Sequence, residues 1–166
     1  MSVVVFSHGK ESGPFGDKIC ILMEVAESLG FKTKSIDYTE LETPEQRVGL
    51  LESVVRDLKD EKIILVGSSM GGYVSTAVAN KIEVDGLFLM CPALYLQGYE
   101  IQSFKPKTSN IEIIHSWGDD IVPYDNSIKF SELNLAKLHL ISDNHRLSNT
   151  HDFLKQTFFM FLCKSL

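Results

Sequence analysis

Nowhere does the sequence hold the run of roughly 18 apolar residues that a membrane-spanning helix requires. It has no C-x-x-C pair and no histidine–cysteine cluster with zinc spacing, so a structural metal is not expected. Internal repeats, low-complexity tracts and an interdomain linker are also missing. Positive charge is in short supply: 16 Lys and Arg stand against 22 Asp and Glu, for a formal charge of −6. That balance argues against a nucleic-acid backbone or an anionic membrane as the main partner, because both are bound through excess basic charge. The three cysteines, Cys20, Cys91 and Cys163, are odd in number and widely spread. They fit reduced thiols in a reducing compartment, each serving as a small core hydrophobe. The N-terminal VVVF is too short for a signal-peptide core and no basic stretch precedes it. The expected location is the cytoplasm.

What the chain does have is enough apolar material for a core. Its 166 residues are 44% hydrophobic and 23% charged, which suits one soluble globular domain over residues 1–166. Short apolar runs punctuate it: Val3 to Ser7, Lys32 to Tyr38, Ile63 to Gly67, Gly86 to Cys91, Ile111 to Ser116 and Lys137 to Ser142. Most are near-continuously hydrophobic, as in strands buried on both faces of a parallel sheet. Between them lie segments of helical period. Ile19, Leu22, Met23, Ala26 and Leu29 keep one face and stop at Gly30; Pro44 opens a second helix whose face runs through Val48, Leu51, Val54, Val55 and Leu58. Two more are expected over Met70 to Ile82 and about Thr150 to Lys164. The alternation predicts an α/β fold: a doubly wound, mostly parallel six-stranded sheet with helices on both faces. Ligands of such sheets bind beyond the carboxyl ends of the strands. Residues Pro92 to Asn110 show no clear period and read either as a lid or binding loop or as an ordinary surface excursion.

The most informative stretch is LVGSSMGGY, Leu65 to Tyr73. Gly67-Ser68-Ser69-Met70-Gly71 fits G-x-S-x-G, with a strand before it and a helix after it. A serine on that corner has a strained backbone, and the residues two before and two after approach their neighbours too closely for a Cβ. The bland alternative is a Gly/Ser turn that packs a strand on a helix or holds a phosphate. A Walker-type loop is excluded, because no Lys-Ser/Thr follows the glycines. Ser69 is therefore the candidate nucleophile, and Ser68 lies off the apex.

A serine hydroxyl needs a base, and the base needs an orienting acid. Of five histidines, His8 follows the first strand, His115 ends the fifth, and His139 lies inside the sixth; His145 and His151 follow it. His145, in SDNHRLSN, sits late in the chain on a loop that can reach over the serine, whereas His151 opens the last helix. Asp119 and Asp120, just past the fifth strand in HSWGDDIVP, are the candidate acids. Their bland reading is a solvated Asp-rich turn, but they share the sheet edge with the serine and keep the order Ser, Asp, His.

Taken together, FSHGKESGPFGDK, LVGSSMGGY, HSWGDDIVP and DNHRL resemble the first-strand loop, nucleophile elbow, acid loop and base loop of the small bacterial esterase-like α/β hydrolases that lack a large cap. The four motifs span residues 3 to 147. The resemblance implies Asp119 as the acid, since it stands four before Pro123, with Asp120 behind it. It also implies an oxyanion hole formed by the backbone N–H of Met70 and that of Lys10, with Glu11 next, and a structural role for His8. One departure is Ser116, where the family pattern has glycine; no required contact is expected there.

The expected activity is hydrolysis of a small carboxylic ester or thioester through an acyl-enzyme on Ser69, with His145 and Asp119 completing the triad and no cofactor or metal. A non-catalytic binding module, or acyl transfer on the same fold, are the alternatives. The expected partner is a small molecule. Phe15, Tyr73, Tyr95, Trp117 and Tyr124 either line the pocket or belong to the core, and monomer and small homo-oligomer stay equally open.

Overall fold

The structure, a computed structural model, describes residues 1–58 and 61–166. Among them the chain forms, in order, β1 (Ser2–Ser7), α1 (Asp17–Ser28), β2 (Lys32–Ile36), α2 (Pro44–Asp57), β3 (Lys62–Ser68) and α3 (Met70–Lys81). It continues through β4 (Gly86–Met90), β5 (Ile111–Ser116), α4 (Tyr124–Asn134), β6 (Lys137–Ile141) and α5 (His151–Cys163). The strands make one sheet in the order β2-β1-β3-β4-β5-β6, and every pairing is parallel. None of the described helices is long and apolar enough to cross a membrane.

Successive side chains of a strand point to opposite faces, and both faces here are covered. Val3 and Val5 of β1 join Val48 and Leu51 of α2, Val74 and Ala77 of α3 and Phe130 of α4 in one apolar layer. Val4 and Phe6 join Ile19 and Leu22 of α1 and Phe158 and Phe161 of α5 in the other. That double burial is why the central strands are continuous hydrophobic runs. The outermost strands behave differently. In β2 exposed and more buried residues alternate, and β6 has no fully buried residue, because each has a neighbour strand on one side only.

Two features depart from a regular strand–helix alternation. The connection from β4 to β5 contains no helix. Residues 92–110 instead lie down as a strap on the α3 side, with Ala93, Leu94 and Phe104 buried. The strap is tied by hydrogen bonds from the Ile101 amide to the Tyr73 hydroxyl, from the Lys107 amide to the Ala79 carbonyl and from the Lys105 amide to Asn80. The helix α4 carries only a weak apolar face, with Phe130 as its one large buried side chain, so its period does not stand out in the sequence. The cysteines also differ from expectation. Cys91 is buried, but Cys20 is half-buried and Cys163, on the outer side of α5, is exposed and is not part of the core.

The chain goes from β1 outward to β2 and then returns to β3 on the other side of β1. The crevice at that reversal, beyond the carboxyl ends of β1 and β3, is where such sheets bind ligands. Ser69 and the His8–Gly9 loop sit there.

Candidate active site

Ser69 occupies the corner between β3 and α3 with φ 53° and ψ −117°, a left-handed conformation that a non-glycine residue adopts only when its surroundings enforce it. The enforcement is visible on both sides. The Ser69 amide donates to the Met90 carbonyl at 3.0 Å, and its carbonyl accepts from Gly72 and Ala93 at 2.9 Å each. A Cβ on Gly67 would overlap the Gly71 carbonyl, and one on Gly71 would overlap the Ser7 carbonyl on β1. Glycine at these two positions lets α3 start directly against the sheet, which aims the serine side chain into the crevice.

There it meets His145. His145 Nε2 lies 2.9 Å from Ser69 Oγ, and His145 Nδ1 lies 2.7 Å from Asp119 Oδ2. Asp119 Oδ1 accepts from the amides of Ile121 and Val122 at 2.9 and 2.8 Å. Burial of the Asp119 side chain works to raise its pKa, but bonds from His115, His145 and these two amides outweigh it and hold the carboxyl well below the usual carboxylate range. An ionised acceptor facing Nδ1 fixes that nitrogen as the donor, so Nε2 presents its lone pair to the serine hydroxyl. Asp120 is exposed and stands outside this chain; His151 begins α5, as its position suggested. His139 instead bonds Glu112 at 2.7 Å, away from the serine.

The loop after β1 packs against the elbow: a Cβ built on Gly9 would be 3.5 Å from the Ser69 Cβ. His8 is fully buried. Its Nε2 accepts from the Tyr38 amide at 2.9 Å, so its Nδ1 carries the proton that is given to the Gly9 carbonyl at 2.6 Å. Burial, with some help from the charge of Arg47, lowers the His8 pKa and keeps the ring neutral, against a raising effect of the Gly9 bond. Lys10 and Glu11 are exposed. Among the described residues, neither the Lys10 amide nor the Met70 amide finds a protein acceptor.

Of the aromatic candidates, Tyr73 is core: fully buried, with its hydroxyl donating to Glu45 at 2.9 Å. Tyr95 packs on Phe104. Phe15 and Trp117 are more than half exposed, and Trp117 stacks edge-on against Tyr124 at 4.9 Å.

Three residues act here without having been singled out as site residues. His115, fully buried, places Nε2 3.0 Å from Asp119 Oδ2 and 3.1 Å from the Val122 carbonyl. Both are acceptors, so Nε2 carries the proton, and Nδ1 takes its partner from the Ser127 hydroxyl at 2.7 Å. A polar residue inside the apolar run IEIIHS, four before the acid, was the available signal. Ser116 corrects the expectation that it makes no required contact. Its hydroxyl donates to the Asp143 carbonyl and accepts the amides of Gly118 and Asp143 at 3.1 Å each, joining the acid loop to the base loop. Arg47, only 3% exposed, reaches the His8 and Gly9 carbonyls. Its spacing with Leu51 and Val55 puts it on the buried stripe of α2, where a charge is unexpected.

Cys91, His115 and Asp119 bring a sulfur, a ring nitrogen and a carboxylate oxygen within 4.8 Å of one another. They do not have the makings of a metal site. Burial pushes the thiol up to about 12, so it stays protonated, and both nitrogens of His115 are engaged in hydrogen bonds.

A family model described as "uncharacterised protein family (UPF0227)" matches residues 3–103. The chain belongs to UPF0227. The matched part of this UPF0227 chain holds Lys10, Arg47, Ser69 and Met70 and ends before Asp119 and His145. No curated protein matches it in sequence. Among solved structures it is similar to a protein of Xanthomonas campestris pv. campestris described as a candidate hydrolase of the α/β superfamily, with 29% identity, a TM-score of 0.89 and 100% of both chains covered. It is also similar to XC6422 of Xanthomonas campestris, described as an α/β serine hydrolase without a lid, at 15% identity and a TM-score of 0.84, over 99% of this chain and 82% of that one. A third likeness is to Est1E of Butyrivibrio proteoclasticus, at 18% identity and a TM-score of 0.81, over 98% and 87%. At those two identities the likeness is one of fold: the UPF0227 chain has the α/β-hydrolase architecture without a large cap.

Proposed function

We propose that the protein is a serine hydrolase of small carboxylic esters or thioesters, with Ser69 as nucleophile, His145 as base and Asp119 as the acid that orients it. The observation that carries this reading is the unbroken run of hydrogen bonds from Ser69 Oγ through both nitrogens of His145 to Asp119. In the proposed reaction Ser69 Oγ attacks the substrate carbonyl carbon and His145 Nε2 takes the hydroxyl proton. The doubly protonated ring is stabilised by ionised Asp119. The negative charge that develops on the carbonyl oxygen is met by the amides of Met70, at the positive end of α3, and of Lys10. His145 then gives its proton to the leaving alcohol or thiol, and water releases the acyl group by the reverse path.

The substrate class is supported by the packing of the strap. The strap over residues 92–110 is packed on α3, with Ala93, Leu94 and Phe104 buried, and holds no helix of the kind a long cap needs, which favours short acyl chains. The hydrolase name of the relative at 29% identity agrees with the reaction class.

The test is turnover of short p-nitrophenyl esters and the matching thioesters by the wild type and by Ser69→Ala. The substitution should lower kcat on the order of a thousandfold or more. Equal rates would remove Ser69 from the nucleophile's role. A protein that neither turns over any ester nor reacts with a fluorophosphonate is a binding module on this fold.

A further inference from the structure

Arg47 is placed badly for stability. Its guanidinium is buried, no carboxylate among the described residues lies within ion-pair distance of it, and its Nε finds no acceptor. It also sits in the first turn of α2, where the helix dipole is positive and disfavours a cation. What it does have is the Tyr38 ring, 5.4 Å below the guanidinium, and the carbonyls of Gly9 at 3.2 Å and His8 at 3.4 Å. A buried charge held only by neutral dipoles is costly, so its location calls for another explanation.

Gly9 supplies one. Its carbonyl receives two donors, Arg47 and the Nδ1–H of His8. The peptide that carries this carbonyl also carries the Lys10 amide, and the Gly9–Lys10 bond is trans. In a trans peptide the N–H points opposite to the C=O. Anchoring the carbonyl toward Arg47 and His8 therefore turns the Lys10 N–H the other way, in a loop so near the elbow that a Cβ on Gly9 would lie 3.5 Å from the Ser69 Cβ. Hydrogen bonds to a carbonyl also polarise its peptide and strengthen the N–H as a donor, and a charged donor in a buried setting does so most.

We propose that Arg47, together with His8, is a positioning residue that clamps and polarises the Gly9–Lys10 peptide, making the Lys10 amide rather than that of Glu11 the second oxyanion donor. The inference rests on the serine-hydrolase reading and deepens it. Arg47 touches no reacting atom. Its charge acts through the peptide it holds, so its effect belongs to the transition state, where the carbonyl oxygen becomes negative.

The test compares the wild type with Arg47→Met, which keeps the length and apolar stem, and with Arg47→Lys, which keeps the charge. Removing one oxyanion donor outright costs about a hundred- to thousandfold in kcat. Loss of a clamp behind the donor should cost Arg47→Met about ten- to a hundredfold. KM should stay within about twofold, Tm should be unchanged or higher, and Arg47→Lys should recover part of the rate. The Lys10 backbone ¹⁵N resonance of the resting protein should move upfield in Arg47→Met, because a bond to the preceding carbonyl has gone. An unchanged kcat overturns the proposal. So does a loss of rate that merely follows a loss of Tm, which would make Arg47 structural, or a rise in KM alone, which would make it a binder of anionic substrate. Absence of turnover in the wild type would defeat the hydrolase reading. The Lys10 resonance decides the clamp even then: if it keeps its position in Arg47→Met, the clamp does not exist.

Discussion

At the scale of single residues, the state of Asp119 is set by its neighbours. Asp119 spends Oδ1 on two backbone amides and shares Oδ2 between His115 and His145. His115 therefore competes with His145 for the same oxygen. Removing its donor, as in His115→Leu, takes away one of the bonds that hold the Asp119 carboxyl low, so that carboxyl should rise toward the ordinary carboxylate range. An NMR titration of the Asp119 side-chain carbon should record the rise, and His115→Gln, which can present an N–H near the same place, should show less of it. An unchanged Asp119 titration would mean that His115 only fills space. The hydrogen-bonded grouping of Ser69, His145 and Asp119 was legible in the sequence because strand-end position and chain order restrict the choices. His115, Ser116 and Arg47 were not, since what they do depends on which loops meet in space: Ser116 bridges to Asp143, and Arg47 to Gly9.

At the scale of elements, α2 and the strap carry the differences between expectation and structure. The start of α2 was readable from Pro44. Its cap is a reciprocal pair: Thr43 Oγ1 accepts from the Gln46 amide at 3.2 Å, and Gln46 Oε1 accepts from the Thr43 amide at 3.1 Å. Thr43→Ala leaves the Gln46 amide without its partner and should cost about 1 kcal/mol, measurable as a lower midpoint in urea with an unchanged m-value. A loss near zero would mean that water replaces the cap fully. The strap gave no period because no helix forms there: its fixed conformation comes from isolated anchors such as Leu94 and Phe104, and from bonds to α3 side chains. Helix α4 was missed for a related reason, since a single large buried side chain gives no repeating signal.

For the whole molecule, the order of hydrophobic runs was sufficient to give the parallel doubly wound sheet, because doubly buried strands must be apolar throughout. It was also sufficient to place the site beyond the carboxyl ends of the strands, whereas the reversal between β1 and β3 emerged only with the strand order. What sequence could not give was the polar interior that this topology encloses, where His8 accepts from the Tyr38 amide and Arg47 packs over the Tyr38 ring and bonds the His8 and Gly9 carbonyls. His8 makes that interior pH-sensitive. Its folded pKa is lowered from the ordinary 6.5 by burial. Below that value the unfolded chain takes up a proton that the folded chain refuses, so stability is full at higher pH and declines as pH falls through 6.5 toward the lowered folded value. The slope from this group is at most about 1.4 kcal/mol per pH unit. Urea unfolding between pH 8 and pH 5 should record the decline, and His8→Asn should flatten it; identical slopes in the two proteins would assign the effect to other groups.

The convergence of Ser69, His145 and Asp119 is tested most directly by mapping a fluorophosphonate adduct by peptide mass spectrometry in the wild type and in His145→Ala. The predicted result is a single stoichiometric adduct on the peptide that carries Ser69, with labelling of that peptide slowed severely in the variant. An adduct on another residue, or equal labelling rates at Ser69 with and without the imidazole, would contradict the account.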